Sequence, residues 1–196
     1  ERLDKLAALY KTDKIIPATV TFVDIAGLVA GASQGEGLGN KFLANIRDCN
    51  AIVHIVRAFA DDNVVHVANE INPKNDIEII NTELILADIQ TIENHLPKIQ
   101  KEAKANPKIK EEIDNLVEIK DSLNKGIILQ SKIQNLKSTL PLLTAKPVIY
   151  AFNVDENTLT NSDKKDELTK LVAPARTIFV CAKLEDELKE LSVVEA

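Results

Sequence analysis

Cysteine is scarce: Cys49 and Cys181 are the only two, and they are too far apart in sequence to form a CxxC motif. This spacing argues against a disulfide framework and against a clustered-cysteine zinc site, while two thiols fit a reducing compartment. Long apolar runs are lacking as well. None reaches the roughly 20 residues that a bilayer-spanning helix needs, and no signal peptide opens the chain. Positive charge is not in excess either, since 24 Lys and Arg stand against 30 Asp and Glu for a net charge of −6. That balance gives no electrostatic ground for broad affinity to nucleic acid or anionic membrane, although a local basic face is compatible with it. Glycine is short too. Five of the six glycines, Gly27, Gly31, Gly35, Gly37 and Gly39, fall within VDIAGLVAGASQGEGLGN, Val23 to Asn40. Glycine costs backbone entropy on folding, so such a cluster implies unusual dihedrals, close backbone approach or deliberate mobility.

What is present reads as an α/β protein. The 196 residues, 45% hydrophobic and 28% charged, suit one domain or one domain with a large insertion. Opening at Glu1 in the charged, periodic stretch ERLDKLAALY, the chain reads as the middle of a longer protein. Leu3, Leu6 and Leu9 predict a short amphipathic helix before Pro17. Thr19 to Val23 are all β-branched or aromatic and predict a strand that the glycines stop. LGNKFLANIRDCN sets Leu38, Phe42, Leu43 and Ile46 at helical spacing, and Ala51 to Phe59 follow as a nearly continuous apolar strand. Strand, helix, strand in that order implies a right-handed crossover and a parallel sheet. Val148 to Asn153 and Thr177 to Val180 supply further strands, the second followed by a helix. His54, inside an apolar strand, reads as a satisfied core histidine, and His66 and His95 lack partners at metal-ligand spacing.

The centre differs in character. NDIE, Asn75 to Glu78, has the form of a helix start with a capping side chain and an acid three residues later. Ile85, Ile89, Ile92, Leu96, Ile99 and Ala103 then step by 4, 3, 4, 3 and 4, a heptad seam. Pro97 is expected to kink or restart that helix. ANPK, Ala105 to Lys108, reads as a hairpin bend, and Ile109, Ile113, Leu116 and Leu123 form a second stripe. Each stripe is too narrow for a globular core alone. Packed on each other, they make an antiparallel helical hairpin inserted in an α/β domain.

The glycines match neither GxxxxGK[ST] nor GxGxxG, so they form neither a Walker A loop nor a dinucleotide fingerprint. Asp24, however, ends an apolar run and is followed by Ala26 and Gly27, giving D-x-A-G. In P-loop NTPases an aspartate so placed holds the water shell of Mg²⁺, and the glycine can offer its N–H to a γ-phosphate. Loss of that phosphate would release a glycine-rich segment that rearranges cheaply, which would make the glycines a switch. A strand-end aspartate in a tight turn is the plainer alternative. Two further strand ends join it. FNVDE sets Asn153 and Glu156 at one carboxyl end, where open α/β sheets bind ligands, and VCAKLE sets Cys181, Ala182 and Lys183 at the next.

The order D-x-x-G, N-x-x-[DE], [SC]-A-K, with DIAGLVAGASQGEGLGNKFLANIR and INPKNDIEIINTELILAD, resembles the Obg-like ATPase (YchF) subfamily of translation-factor-related P-loop GTPases. The resemblance covers nearly the whole chain. It implies a mostly parallel P-loop-NTPase-type sheet with flanking helices, residues 1–81 and 138–196, and a coiled-coil hairpin insertion, residues 82–137. It implies that the family's phosphate loop precedes Glu1 and its TGS domain follows Ala196. It also implies Mg²⁺-dependent hydrolysis of ATP, with GTP as the second candidate, in a cytoplasmic, ribosome-associated regulatory switch. Asp24 would serve the metal through water, and Gly27 and Leu28 the switch. Asn153, Val154, Glu156, Cys181, Ala182 and Lys183 would form the base pocket, with the backbone of Ala182 and Lys183 contacting the base. Glu156 stands where N-K-x-D has its aspartate; it is a methylene too long to pair with guanine N1–H and the 2-amino group. Leu28 stands where Ras-like proteins hold the attacking water with glutamine, so hydrolysis should be slow. Bland roles remain open for both: Glu156 as a solvated loop acid, Leu28 as a core residue. The rival reading, from another class, is a non-catalytic interaction module whose hairpin grips a protein or ribosomal partner.

Overall fold

The computed structural model describes residues 2–25, 38–60, 71–103, 106, 109–129 and 140–189. The order is α1 (Arg2–Tyr10), α2 (Leu38–Asp48), β1 (Ile52–Arg57), α3 (Pro73–Ala103), α4 (Lys110–Asn124), β2 (Val148–Asn153), α5 (Glu156–Thr160), α6 (Ser162–Val172), β3 (Arg176–Val180) and α7 (Ala182–Leu188). The three strands form one parallel sheet in the order β1-β2-β3. β2 is central because VIYAFN can be covered on both faces: Tyr150, Ala151 and Phe152 are all buried. With Val56, Ile77, Val154 and Val172, the two aromatic rings make the core of the sheet layer. The expected parallel α/β sheet with flanking helices is therefore what forms.

The hairpin forms as the two stripes require. Ile85, Ile92 and Ile99 of α3 and Leu116, Ile119 and Leu123 of α4 share one apolar cluster, with Ile89, Leu96, Ile109 and Ile113 against it. Lys120 Nζ meets Glu93 Oε1 at 2.7 Å, and the two lie equally far on either side of the turn near Asn106, so the helices run antiparallel. Two local expectations are corrected. The cap of α3 is Asn72, not Asn75: the Asn75 N–H donates to Asn72 Oδ1 at 3.1 Å, and Pro73 takes the first helical position, where its missing donor costs nothing. And of the two effects expected of Pro97, a kink or a restart, the restart does not occur: α3 runs through it as a single helix. Pro97 is exposed while Ile92 and Ile99 are buried, so the proline lies on the open face of the helix and the seam holds both halves together.

Polar contacts fasten the hairpin to the sheet layer. Asp88 of α3 is buried and accepts from the Leu143 N–H (2.8 Å), the Thr144 N–H (2.8 Å) and the Thr144 hydroxyl (2.7 Å), capping the 3₁₀ turn Leu143–Ala145. Burial pushes its carboxyl above the usual range, while those donors and nearby Arg47 oppose the shift. Beside it, Leu43, Ile46, Leu84, Ala87 and Leu143 form a third apolar cluster. Lys146 Nζ donates to the carbonyls of Arg47 and Cys49, closing the C-terminal end of α2, where a cation also suits the helix dipole.

The first predicted strand does not form. Residues 14–25 adopt no regular secondary structure and pair with no strand among the described residues, and Val20, Phe22 and Val23 are exposed, Phe22 by 82%. The crossover expected from it to β1 is therefore not made. β1 forms within the nearly continuous apolar run expected from Ala51 to Phe59, yet Val53 and Ile55 are exposed, Ile55 by 72%; among the described residues β1 pairs with β2 alone. α1 forms, but Leu3, Leu6 and Leu9 are likewise exposed. Strand propensity is mostly a fit to a covered, pleated surface, and without a neighbour it yields no strand.

His54 of β1 meets the expectation of a satisfied core histidine only in part: it is half-buried at the edge of the sheet core, and its ring has no hydrogen bond among the described residues. Its ring lies 5.3 Å from that of Tyr150, its register partner, and burial lowers its pKa from 6.5 to about 4 against the opposing pull of Asp76. Between those two values the unfolded chain binds a proton that the folded chain refuses, so stability falls as pH drops from 6.5 toward 4. His54→Phe should remove about 2 kcal/mol of that fall, allowing for the ring's partial exposure. Urea midpoints at pH 7 and pH 5 measure it; an unchanged difference between the two pH values in the variant would show that His54 is not the source.

Candidate functional site

The carboxyl edge of the sheet brings together what the sequence keeps apart. Arg57, Asn153 and Val180 end the three strands and are aligned in register. The ladder continues one step further, with the Ala58 N–H donating to the Asn153 carbonyl at 2.8 Å and the Val154 N–H to the Val180 carbonyl at 2.9 Å. Asn153 then bridges two motifs with its side chain. Its Oδ1 accepts from the Ala182 N–H at 3.1 Å, at the start of α7. That donor fixes the amide's orientation, so the NH₂ group is left to donate elsewhere, as to the ring nitrogen of a purine.

The next residues divide by burial. Val154, 2% exposed, packs in the sheet core, and Cys181 is buried as well. Their side chains pack beneath the edge and are closed to solvent. Asp155 caps α5, its Oδ1 accepting from the Thr158 N–H at 2.7 Å, and those bonds hold its carboxyl below the usual range. Glu156, first in α5, reaches Lys183 Nζ at 3.7 Å, and Lys183 also approaches Glu187 at 3.8 Å. Both partners of the first pair are more than half exposed, so the pair adds little stability but links the N-x-x-E and C-A-K segments a second time. The Lys183 side chain itself is 74% exposed.

Asp24 is exposed, and its carboxylate has no hydrogen bond or ion pair among the described residues. Ile25 beside it packs against the cluster of Leu43, Ile46 and Leu84, which fixes where the segment ends. Gly27 and Leu28 lie outside the described residues. An exposed carboxylate with no partner among the described residues suits Mg²⁺, which takes one or two carboxylates and keeps several waters. No group of three or more His, Cys, Asp or Glu that could hold a metal occurs among the described residues.

Two residues at this edge escaped the sequence reading. The Arg57 Nε donates to the Phe59 carbonyl at 3.2 Å, and its guanidinium lies 4.6 Å from the centroid of the Phe59 ring. The signal was there: a charged residue closing an apolar run, two before an aromatic. By contrast, a groove of about 310 Å³ between Lys74, Asn81 and Lys170 borders the last turn of α6, which leads into the amino end of β3. None of the predicted site residues lines it.

The family described as "50S ribosome-binding GTPase" matches residues 7–95. The "Ribosome-binding ATPase YchF" of Mycoplasma genitalium is 46% identical over 98% of this chain, and that of Bacillus subtilis 41% identical over 97%. The solved structure of the Schizosaccharomyces pombe YchF GTPase superposes with a TM-score of 0.73 at 32% identity, covering 98% of this chain and 56% of that one. The chain spans about half the length of the curated relatives it matches, 56% and 55% for these two. No helix among the described residues is long and apolar enough to cross a membrane.

Proposed function

Matched over nearly its whole length, this chain belongs to the YchF family, and from that premise we propose that it forms the base-reading and switch portion of a P-loop ATPase. ATP is the preferred nucleotide and GTP the second candidate, and the whole protein acts as a ribosome-associated switch in the cytoplasm. Residues 1–81 and 138–196 belong to the nucleotide domain, and residues 82–137 are its helical insertion. The observation that carries this is the Asn153–Ala182 hydrogen bond, which joins two distant motifs into one edge at the ligand-binding end of a parallel sheet.

Asn153 donates its free amide hydrogens to the base and holds the start of α7 in place. Glu156 sets the base preference, Val154 and Cys181 form the floor, and the backbone of Ala182 and Lys183 borders the base. Asp24 holds Mg²⁺ through water, and the metal, when bound, neutralises charge developing on the β- and γ-phosphates. Gly27 offers its backbone to the γ-phosphate. Leu28 cannot hold a water, which keeps hydrolysis slow.

The 196 residues contain no GxxxxGK[ST], and so lack the nest and lysine that hold the phosphates. Titrating ATP into this chain alone should give no micromolar binding. In a protein of the relatives' full length it should bind, and Asn153→Ala there should weaken ATP and GTP alike by about tenfold, the cost of losing one hydrogen-bonding tie and the donors it orients. Micromolar ATP binding by the 196 residues, or unaltered affinity in folded Asn153→Ala, would contradict the assignment.

A further inference from the structure

Charge is unevenly spread along this chain. Residues 98–110 hold Lys98, Lys101, Lys104, Lys108 and Lys110 against the single acid Glu102, a local +4 in a protein of net −6. Lys98 and Lys101 are exposed in the last turns of α3, and Lys110 is exposed at the first position of α4. None of these three has an ion pair or hydrogen bond among the described residues. Helix electrostatics account for Lys101, at a C-terminal end, but not for Lys110, at the end where a cation is disfavoured and where Glu111, Glu112 and Asp114 already supply the acids. The cluster also sits far out. From Asp88, where α3 is fastened to the Leu143–Ala145 turn, the helix runs on to Ala103, about 22 Å at 1.5 Å per residue.

We propose that this hairpin end is a contact for RNA phosphates, a surface of Lys98, Lys101 and Lys110; the inference rests on the ribosome-associated reading above. The chemistry favours phosphate over a protein partner. Ile99, Ile109 and Ile113 all pack inward, so the described surface here offers cations with no aromatic anchor and only Pro97 as an exposed apolar neighbour. Protein interfaces enrich aromatics and arginine and deplete lysine, whereas a phosphate backbone needs only point charges and releases counterions on binding.

The test uses the full-length protein, isolated large ribosomal subunits and a 20-base-pair RNA duplex at several salt concentrations. Lys98→Ala, Lys101→Ala and Lys110→Ala together should make the slope of log K against log salt shallower by about 2 to 3 on both probes, and lower affinity at least about tenfold near 0.1 M salt. The denaturation midpoint should not move, because the three side chains hold no partner among the described residues. The matching Lys→Arg triple should keep both slope and affinity. Subunit binding with unchanged slope and affinity in the alanine triple would overturn the inference, leave the functional reading standing and point to a protein contact. Wild-type protein that binds no subunits would overturn both.

Discussion

Replacing Asp88 by alanine is expected to lower the folding stability of this chain by about 3 kcal/mol or more. Two backbone N–H groups and one hydroxyl converge on its carboxylate in a place almost closed to water. Removing the acceptor leaves those donors buried and unmet, at about 1–3 kcal/mol for each that water cannot reach. Asp88→Asn keeps the volume and one acceptor oxygen but turns an NH₂ toward a donor, so it should lose less than alanine but still more than about 1 kcal/mol. Urea denaturation of the three proteins at neutral pH gives both differences. A loss under about 1 kcal/mol for alanine would mean that water enters the Leu143–Ala145 turn or that the turn re-forms its bonds locally.

In a full-length protein, Glu156→Asp should move preference from ATP toward GTP by about 2–3 kcal/mol, roughly thirty- to hundredfold in the affinity ratio. The shorter acid can accept from guanine N1–H and the 2-amino group together, whereas adenine presents neither donor. Rebuilding the rest of N-K-x-D would be a mistake here. Val154 is buried in the sheet core, and a lysine there would trade a packed side chain for a desolvated ammonium. Lys183→Ala is the useful companion: it frees Glu156 from its ion pair and should leave the base preference on the ATP side. Competition of ATP and GTP against one labelled nucleotide reads the ratio. If it stays the same in folded Glu156→Asp, Glu156 does not read the base.

Much of the architecture was legible because its causes are local. β2 coincides with the predicted Val148 to Asn153, and the isoleucine seam of α3 packs as its heptad spacing required. What the sequence hid depends on partners. Thr19 to Val23 has strand composition yet pairs with nothing described, and Val53 and Ile55 look like core until one edge of β1 is left uncovered. Pro97 looked like a break because its effect was weighed without the buried seam on the opposite face. Asp88 gave no signal at all: an acid in a helix reads as solvated until a turn 55 residues later folds onto it. At the candidate site the motif residues were legible as types, but the tie from Asn153 to Ala182 was not, because it crosses between two strand ends 29 residues apart. Arg57 and Phe59 were overlooked because neither belongs to a motif until the register sets Arg57 beside Asn153.

Helix α3 places Ile77 in the sheet core, Leu84 and Ala87 in the cluster under α2, and Ile92 and Ile99 in the hairpin seam. Three packed regions thus share one continuous rod, with Asp88 as the point where it is pinned. A close-packed helix transmits displacement instead of absorbing it, since sliding any one of its faces would open voids in the layer it serves. From the pin the rod runs about 16 Å back to Ile77 and about 22 Å out to Ala103. Mechanically this is a lever of unequal arms. A tilt that shifts the sheet end by 1 Å swings the hairpin end by roughly 1.4 Å the other way, in the ratio of those two arms. Anything that repacks Ile77 against β2 is therefore felt, enlarged and inverted, at the opposite end of the molecule.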